Sequence, residues 1–423
     1  MIYDNYNECM DRKERRQIQG ERLKKLVENL YNNVKFYHDK FDEYKIKPSD
    51  IKSMDDIEKL PFTEKEDLRN NYPLGLLQAP LKDIVRIHAS SGTTGKPTII
   101  AYTKNDIDIW SEVMARALSS SGADQTSVIQ VSYGYGLFTG GLGAHYGSER
   151  LGATTLPASS GNSKKQLTLM KDLGVDVICC TPTYALYLAE QMKVEGLDKS
   201  EFKLKAGVFG AETWGENLRK QIENELGIKA YDVYGLSEIS GPGVGIECEY
   251  QCGCHIQEDH FYPEIIDSKT LKVLPYGQEG ELVFTTLTKT GMPLLRYRTH
   301  DVAKLVIEPC KCGRTTIRIS RIKGRCDDML IVRGVNVYPS EVESVILNFK
   351  ELNNKFELNL IKNGVLDELL IKIEVKDDEI LKNKQNLMML YAKLSKEFLS
   401  ALNIKVKVEL LGHDKVNDAR KRK

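Results

Sequence analysis

Four short apolar runs, at 128–131, 175–180, 206–209 and 230–234, are separated by stretches with helical spacing. This alternation constrains the fold more than any other feature, because short apolar runs suit strands and the segments between them suit helices laid against a sheet. The chain is therefore expected to be α/β, with mixed sheets and helices. Ahead of that region Leu23, Leu26, Val27, Leu30 and Val34 recur at helical spacing and predict an amphipathic helix with an ordinary core face. Thr63, Glu64, Lys65 and Glu66 carry the capping-box pattern and predict the start of a second helix. Near Gly324 the texture changes. Strands are expected at 356–361, 369–375 and 406–410, and helices at 341–348 and 386–399. These make a small α+β unit, and the boundary is placed between Cys326 and Asp327, giving a large domain 1–326 and a small domain 327–423. With 423 residues, 41% of them hydrophobic, the chain can bury a sizeable core.

Lysine plus arginine equals aspartate plus glutamate at 60 each, so no net field draws the chain to nucleic acid or to a membrane, and neither is expected as a partner. The basic end Arg420, Lys421, Arg422, Lys423 reads as a solvated tail. The first residues are polar and no apolar run approaches the roughly 20 residues of a membrane span, so cytoplasmic residence is expected. Nine cysteines is an odd count, and five of them crowd into two clusters: Cys248, Cys252 and Cys254, with His255 beside them, and Cys310 with Cys312. Such spacing in a cytosolic chain favours metal over disulfides, and thiolate with imidazole suits a closed, tetrahedral Zn2+ site.

The run Ser90, Ser91, Gly92, Thr93, Thr94, Gly95, Lys96, Pro97 reads as a loop that wraps phosphates. Hydroxyls and glycines let backbone N–H and side-chain O–H groups converge on an anion, and Lys96 adds a positive charge. A Walker A loop fails at two positions: Ser90 stands where its first glycine belongs, and Pro97 follows the lysine where a magnesium-binding hydroxyl belongs.

The longer segment from Arg86 to Pro97 resembles the phosphate-binding motif of the acyl-adenylate-forming enzymes, the superfamily of acyl-CoA ligases, luciferases and peptide-synthetase adenylation domains. Within it the segment is similar to the phenylacetate–CoA ligase family. Four further stretches resemble family motifs in the expected order, and the likeness runs from about Tyr72 to Leu410. Gly210, Ala211 and Glu212, after an apolar run, resemble the loop that lies along adenine; Trp214 suits either that base or the core. Tyr234, Gly235, Leu236, Ser237 and Glu238 resemble the element whose hydroxyl meets phosphate and whose glutamate holds Mg2+. Arg296 to Asp301 resembles the element whose aspartate, here Asp301, takes the ribose diol. Gly324 to Asp328 resembles the hinge, where Arg325 would pair with nucleotide and Asp327 would absorb the backbone rotation.

The glycine-rich, aromatic stretch from Tyr133 to His145 resembles the lining of the acyl pocket in phenylacetate–CoA ligases. Rings with little bulk between them make a slot for a flat aryl group, and Tyr135, Gly136, Phe138 and Gly141 are the expected walls. By the same resemblance the zinc ligands would be Cys248, His255, Cys310 and Cys312, with Cys252 and Cys254 as alternates. His260 and Phe261 match a family run whose role the residues do not disclose. The pattern breaks near the C-terminus. The family's invariant lysine, which reaches the α-phosphate and acyl carboxylate, falls on Arg420 here, with Lys421 next to it.

The resemblance thus implies an AMP-forming acid–CoA ligase that uses ATP, Mg2+ and CoA. An aryl carboxylate would become acyl-AMP with loss of pyrophosphate, and the acyl group would then pass to the thiol. Loading of a carrier-protein phosphopantetheine is the alternative reaction. A noncatalytic nucleotide-binding relative is the alternative class, prompted by Arg420. A homodimer is a further expectation.

Overall fold

The structure, a computed structural model, describes residues 1–90, 97–332, 335–363 and 366–416. The chain folds into two compact units. One comprises Met1–Glu212, Ile222–Thr299 and Ala303–Arg321; the other comprises Thr213–Gln221, His300–Val302 and Ile322–Lys423.

In the first unit, β1 (Ile84–Ser90) and β2 (Thr98–Thr103) form an antiparallel hairpin. The main sheet holds β3 (Val128–Val131), β4 (Thr154–Leu156), β5 (Val177–Cys180), β6 (Ala206–Gly210) and β7 (Lys229–Leu236), all parallel, in the order β4-β3-β5-β6-β7. It continues antiparallel through β8 (Gly241–Glu247) and β9 (Cys254–Ile256). Beyond these lie β13 (Arg318–Ile319), β12 (Tyr297–Val306), β11 (Glu279–Thr286) and β10 (Phe261–Ile266). Wholly buried strands such as β5 and β6 explain why their sequences read as unbroken apolar runs. The run expected from residue 175 enters the sheet two residues later. The Val175 amide is taken by the carbonyl of Met170, which closes the preceding helix, and Gly174 makes that turn at φ +62°.

The N-terminal amphipathic helix is Arg12–Asn33, capped by Asp11, whose carboxylate accepts from the amides of Lys13 and Glu14. Leu23, Leu26, Val27 and Leu30 are buried, each contributing about 1.5–3 kcal/mol. The second helix starts later than the capping pattern implies. It spans Lys65–Asn70 with Glu64 at the cap and Asp67 closing the box. Thr63 is drawn away from that role because its hydroxyl donates to the Leu295 carbonyl and meets the Tyr37 hydroxyl in the core.

The second unit is built on an antiparallel pair, β17 (Leu352–Asn363) and β18 (Leu366–Val375), with β19 (Lys407–Leu411) parallel to β18. Helices Pro339–Ile346 and Lys384–Leu402 cover it, and Phe356, Ile371, Ile373, Leu394 and Phe398 form its core. All three expected strands and both expected helices are present. In the same unit β14 (Gly324–Arg325) pairs with Val302 and Asp301. Among the described residues, no helix is long and apolar enough to cross a membrane.

Candidate active site

The loops that follow β3, β6 and β7 at their carboxyl ends, where open parallel sheets hold ligands, wall a cavity of about 220 Å³. Gly210 and Ala211 supply one side. A Cβ on Gly210 would run into the Val233 carbonyl, and Ala211 holds a left-handed φ of +69°, a strained conformation for a residue with a side chain. Tyr133, Phe138 and Pro242 supply apolar walls. Phe138 is 41% exposed and its ring lies where a Gly140 side chain would be, so a larger residue at 140 would require the ring to move.

The charged end carries Ser237 and Glu238. Ser237 Oγ lies 3.0 Å from Thr139 Oγ1, and Lys65 Nζ lies 3.4 Å from Glu238 Oε1. Both hydroxyl and carboxylate are buried by their surroundings. The turn that bears them is reached through Gly235, where a Cβ would collide with the Gly241 carbonyl. Gly235→Ala is therefore expected to displace this turn, lowering stability by about 1–3 kcal/mol and ATP–pyrophosphate exchange with it. Thermal melting alongside an exchange assay checks both.

Beneath the turn sits Lys289, buried. Burial pulls its pKa down to about 8, with Asp106 and Glu238 drawing it back up. On the far side, β1 is fastened to the aromatic loop. The Leu137 carbonyl accepts from the Ala89 amide and from His88 Nδ1, each at 3.0 Å. Burial lowers the His88 pKa, which favours the neutral ring.

Of the four expected acyl walls only Phe138 lines the cavity. The Tyr135 hydroxyl instead meets His145 Nδ1 at 3.2 Å, on the helix Thr139–Leu151. Gly136 serves the backbone at φ +142°. Gly141 allows close approach to the Gly134 carbonyl, 2.7 Å from where a Cβ would stand. Glu212 leaves the cavity too, its carboxylate accepting from the Thr183 hydroxyl at 2.8 Å. Tyr234 stacks on Phe284 at 5.9 Å. Ser90 lines the cavity, whereas Ser91, Gly92, Thr93, Thr94, Gly95, Lys96, Arg420 and Lys421 lie outside the described residues. Lys65, Tyr133, Thr139 and Pro242 were not singled out from sequence as site residues. Lys65 sits in a stretch whose only sequence signal was a helix start.

In the second unit Arg325 holds Asp327 through two bonds, Nε to Oδ1 at 2.8 Å and Nη2 to Oδ2 at 2.7 Å. Its Nη1 stands 3.9 Å from Asp301 Oδ1. Burial would raise the Asp327 pKa, but the Arg325 guanidinium more than offsets it and the carboxyl is lowered. Trp214 is buried, with the Arg219 guanidinium 5.1 Å from its ring centroid.

The ligand atoms of Cys248, His255, Cys310 and Cys312 lie within 4.8 Å of one another. Cys248 and Cys310 sulfurs are 3.6 Å apart, and Cys312 Sγ is 3.4 Å from His255 Nε2. Bonds of about 2.3 Å to sulfur and 2.0–2.1 Å to nitrogen imply tetrahedral edges near these lengths, so the four fit zinc. His255 Nδ1 meets Thr316 Oγ1 at 3.0 Å, which orients the ring. Of the alternates, Cys254 donates to the Asp232 carbonyl at 3.6 Å, whereas Cys252 Sγ accepts from Arg318 Nη1 at 2.8 Å and also stands 3.8 Å from Cys310 Sγ, at the edge of the cluster.

The family model for AMP-binding enzymes matches residues 19–288, and that for the AMP-binding enzyme C-terminal domain matches residues 334–423. Phenylacetate-coenzyme A ligase of Pseudomonas putida is 47% identical over 396 residues, 93% of this chain and 90% of that one. The Escherichia coli enzyme of the same name is 49% identical, covering 86% and 83%. The crystal structure of 2-hydroxyisobutyryl-CoA ligase in its postadenylation state with 2-HIB-AMP superposes with a TM-score of 0.90 at 27% identity, over 100% of this chain and 91% of that one. Fold and site together define an adenylate-forming, AMP-binding enzyme. Within that superfamily the chain belongs to the phenylacetate–CoA ligase family, and it is an AMP-forming acid–CoA ligase that proceeds through an acyl-adenylate.

Proposed function

We propose that the cavity seats an aryl carboxylate of the phenylacetate type, with CoA as the acyl acceptor. What supports this is the pairing of a buried carboxylate and an ammonium, Glu238 with Lys65, at one end of a cavity walled by Tyr133 and Phe138. The apolar walls Tyr133, Phe138 and Pro242 offer ring faces and edges to a flat aryl group.

The substrate carboxylate oxygen attacks the α-phosphorus of ATP and the bond to pyrophosphate breaks. Glu238 is assigned to Mg2+, which when bound neutralises charge on the phosphate. Ser237, Ser90 and the loop through Lys96 are assigned to phosphate, the Gly210–Ala211 backbone to adenine, Asp301 to the ribose and Arg325 to the nucleotide. Lys65, on the cavity rim, joins Lys96 and Arg420 or Lys421 as a cation available to the developing negative charge. The small domain, 327–423, then turns at Asp327 so that the CoA sulfur attacks the acyl carbon and AMP leaves. The cytoplasm, where thiols persist beside ATP, is the compartment assigned.

Carboxylate-dependent ATP–pyrophosphate exchange across aryl and short aliphatic acids tests the reading. Exchange that peaks with an arylacetate supports it, and no exchange with any acid overturns it. Thioester formation with CoA, rather than with holo-carrier protein, tests the acceptor.

The Cys248, His255, Cys310 and Cys312 cluster is assigned a structural zinc. Thr316→Val, which strips the group that meets His255, is expected to weaken zinc binding about 10–100-fold. Competition with a chromogenic chelator measures this, and unchanged affinity would remove Thr316 from the site.

A further inference from the structure

Four consecutive carbonyls, those of Ser237, Glu238, Ile239 and Ser240, converge on two buried donors. Lys289 Nζ donates to the Glu238 carbonyl at 3.1 Å and to the Ile239 carbonyl at 2.9 Å. The Tyr102 hydroxyl lies 3.2 Å from the Ser237 carbonyl and 3.4 Å from that of Ser240. The ammonium also stands 4.8 Å from the Tyr102 ring centroid, within cation–π range.

Tyr102 is wholly buried and Lys289 nearly so. Carbonyl dipoles gathered in a dry interior repel one another and cannot be met by water, so such a turn holds its shape only where buried donors meet them, and an ammonium brings three donors and a charge that attracts the carbonyls. The segment that delivers this charge is itself anchored. The Asp106 carboxylate accepts from the amides of Thr290 and Gly291, at 2.6 and 2.8 Å, and from the Thr103 amide at 2.9 Å. A chain of bonds thus runs from β2 through the 289–291 segment to the main chain of Glu238.

We propose that Lys289 is a positioning residue for adenylation: an internal cation that, with Tyr102, shapes the Ser237–Ser240 carbonyl turn and so aims Ser237 and Glu238 into the cavity. This rests on the assignment of Glu238 to the reacting phosphate. Lys289 touches no substrate, and its effect passes through the backbone it holds.

Removing the side chain leaves a carbonyl-lined cage of the size of an ammonium ion, which supplies the test. In full-length protein, Lys289→Ala is expected to lower acid-dependent pyrophosphate exchange about 10–100-fold per folded chain and to raise the Mg2+ concentration for half-maximal exchange by a similar factor. Ammonium or methylammonium chloride, but not tetramethylammonium chloride at equal ionic strength, is expected to restore part of the loss saturably, with no such response in the parent. Tyr102→Phe keeps the ring and removes one donor; a loss of roughly 10-fold is expected, and this variant carries the test should Lys289→Ala not fold. Exchange and Mg2+ dependence equal to the parent in the folded variants would overturn the proposal, as would a loss that small ammonium ions leave untouched in Lys289→Ala. Glu238→Gln separates the two levels. If it too exchanges at the parental rate, the assignment of Glu238 fails; if it loses exchange while Lys289→Ala does not, only the role of Lys289 fails.

Discussion

Glu238→Gln is expected to cut acid-dependent ATP–pyrophosphate exchange by about 10²–10³-fold while leaving the fold in place. The substitution keeps shape and length and removes only charge. In the parent the carboxylate is buried at the head of the cavity with Lys65 at 3.4 Å, and the main chain beneath it is held by Lys289. A carboxylate so placed attracts a divalent cation far better than an amide does, and the reaction gathers negative charge at the phosphate to which Glu238 is assigned. Exchange rates with saturating ATP, read against Mg2+ concentration and beside a thermal melt, decide the matter. A variant that melts like the parent and exchanges like the parent would place the metal elsewhere.

Asp259→Asn is expected to cost about 3–5 kcal/mol of stability. Arg116, 1% exposed, sends two bonds of 3.0 Å to the Asp259 carboxylate and others to Gln257 Oε1, Asp4 Oδ2 and the Glu112 carboxylate. His260 Nε2 approaches Asp259 Oδ2 at 3.1 Å. The variant leaves a buried guanidinium short of a counter-charge. Burial pushes the Asp259 pKa up, but His260 and Arg116 more than offset this and hold it well below the usual carboxylate range. With the folded value beneath the unfolded one of about 3.9, the stabilisation is fully present above that pH and fades as pH falls toward the folded value. Parent and variant melting curves are therefore expected to draw together below about pH 4, which a pH series of denaturant titrations checks. Glu258 and Glu264 act in the opposite sense. Burial raises both despite Arg15 and Arg296, so their contribution is fully present below their unfolded values and is lost as pH rises from there through the folded ones.

The alternation of apolar runs disclosed the parallel strands because β5 and β6 are buried throughout, and a strand buried on both faces leaves no polar alternation to misread. Ser237, Glu238 and Gly210 were singled out by the resemblance of their stretches to family motifs, and the structure brings all three to the lining of one cavity. The cluster of Cys248, His255, Cys310 and Cys312 was legible as part of a set of candidates from spacing, but its selection came from the family resemblance. Lys65 and Lys289 left no such mark. Each reaches Glu238 from a sequence separation that no local pattern spans, and a lone lysine on a helix start or after a strand looks like any surface charge. Tyr135 was hard to place for the converse reason: an aromatic in a glycine-rich loop can face either way, and here its hydroxyl meets His145, ten residues on.

The aromatic loop after β3 and the acidic turn after β7 reach the cavity from separate strands, and each has its own fastening: Leu137 on β1 for the loop, Lys289 and Tyr102 for the turn. Inheritance can therefore treat them as two modules. If the cavity seats the acid as proposed, drift in the residues from Tyr133 to Phe138 would alter which acid is admitted while the apparatus around Glu238 is passed on unaltered, so paralogues of this chain are expected to diverge in substrate long before they diverge in chemistry.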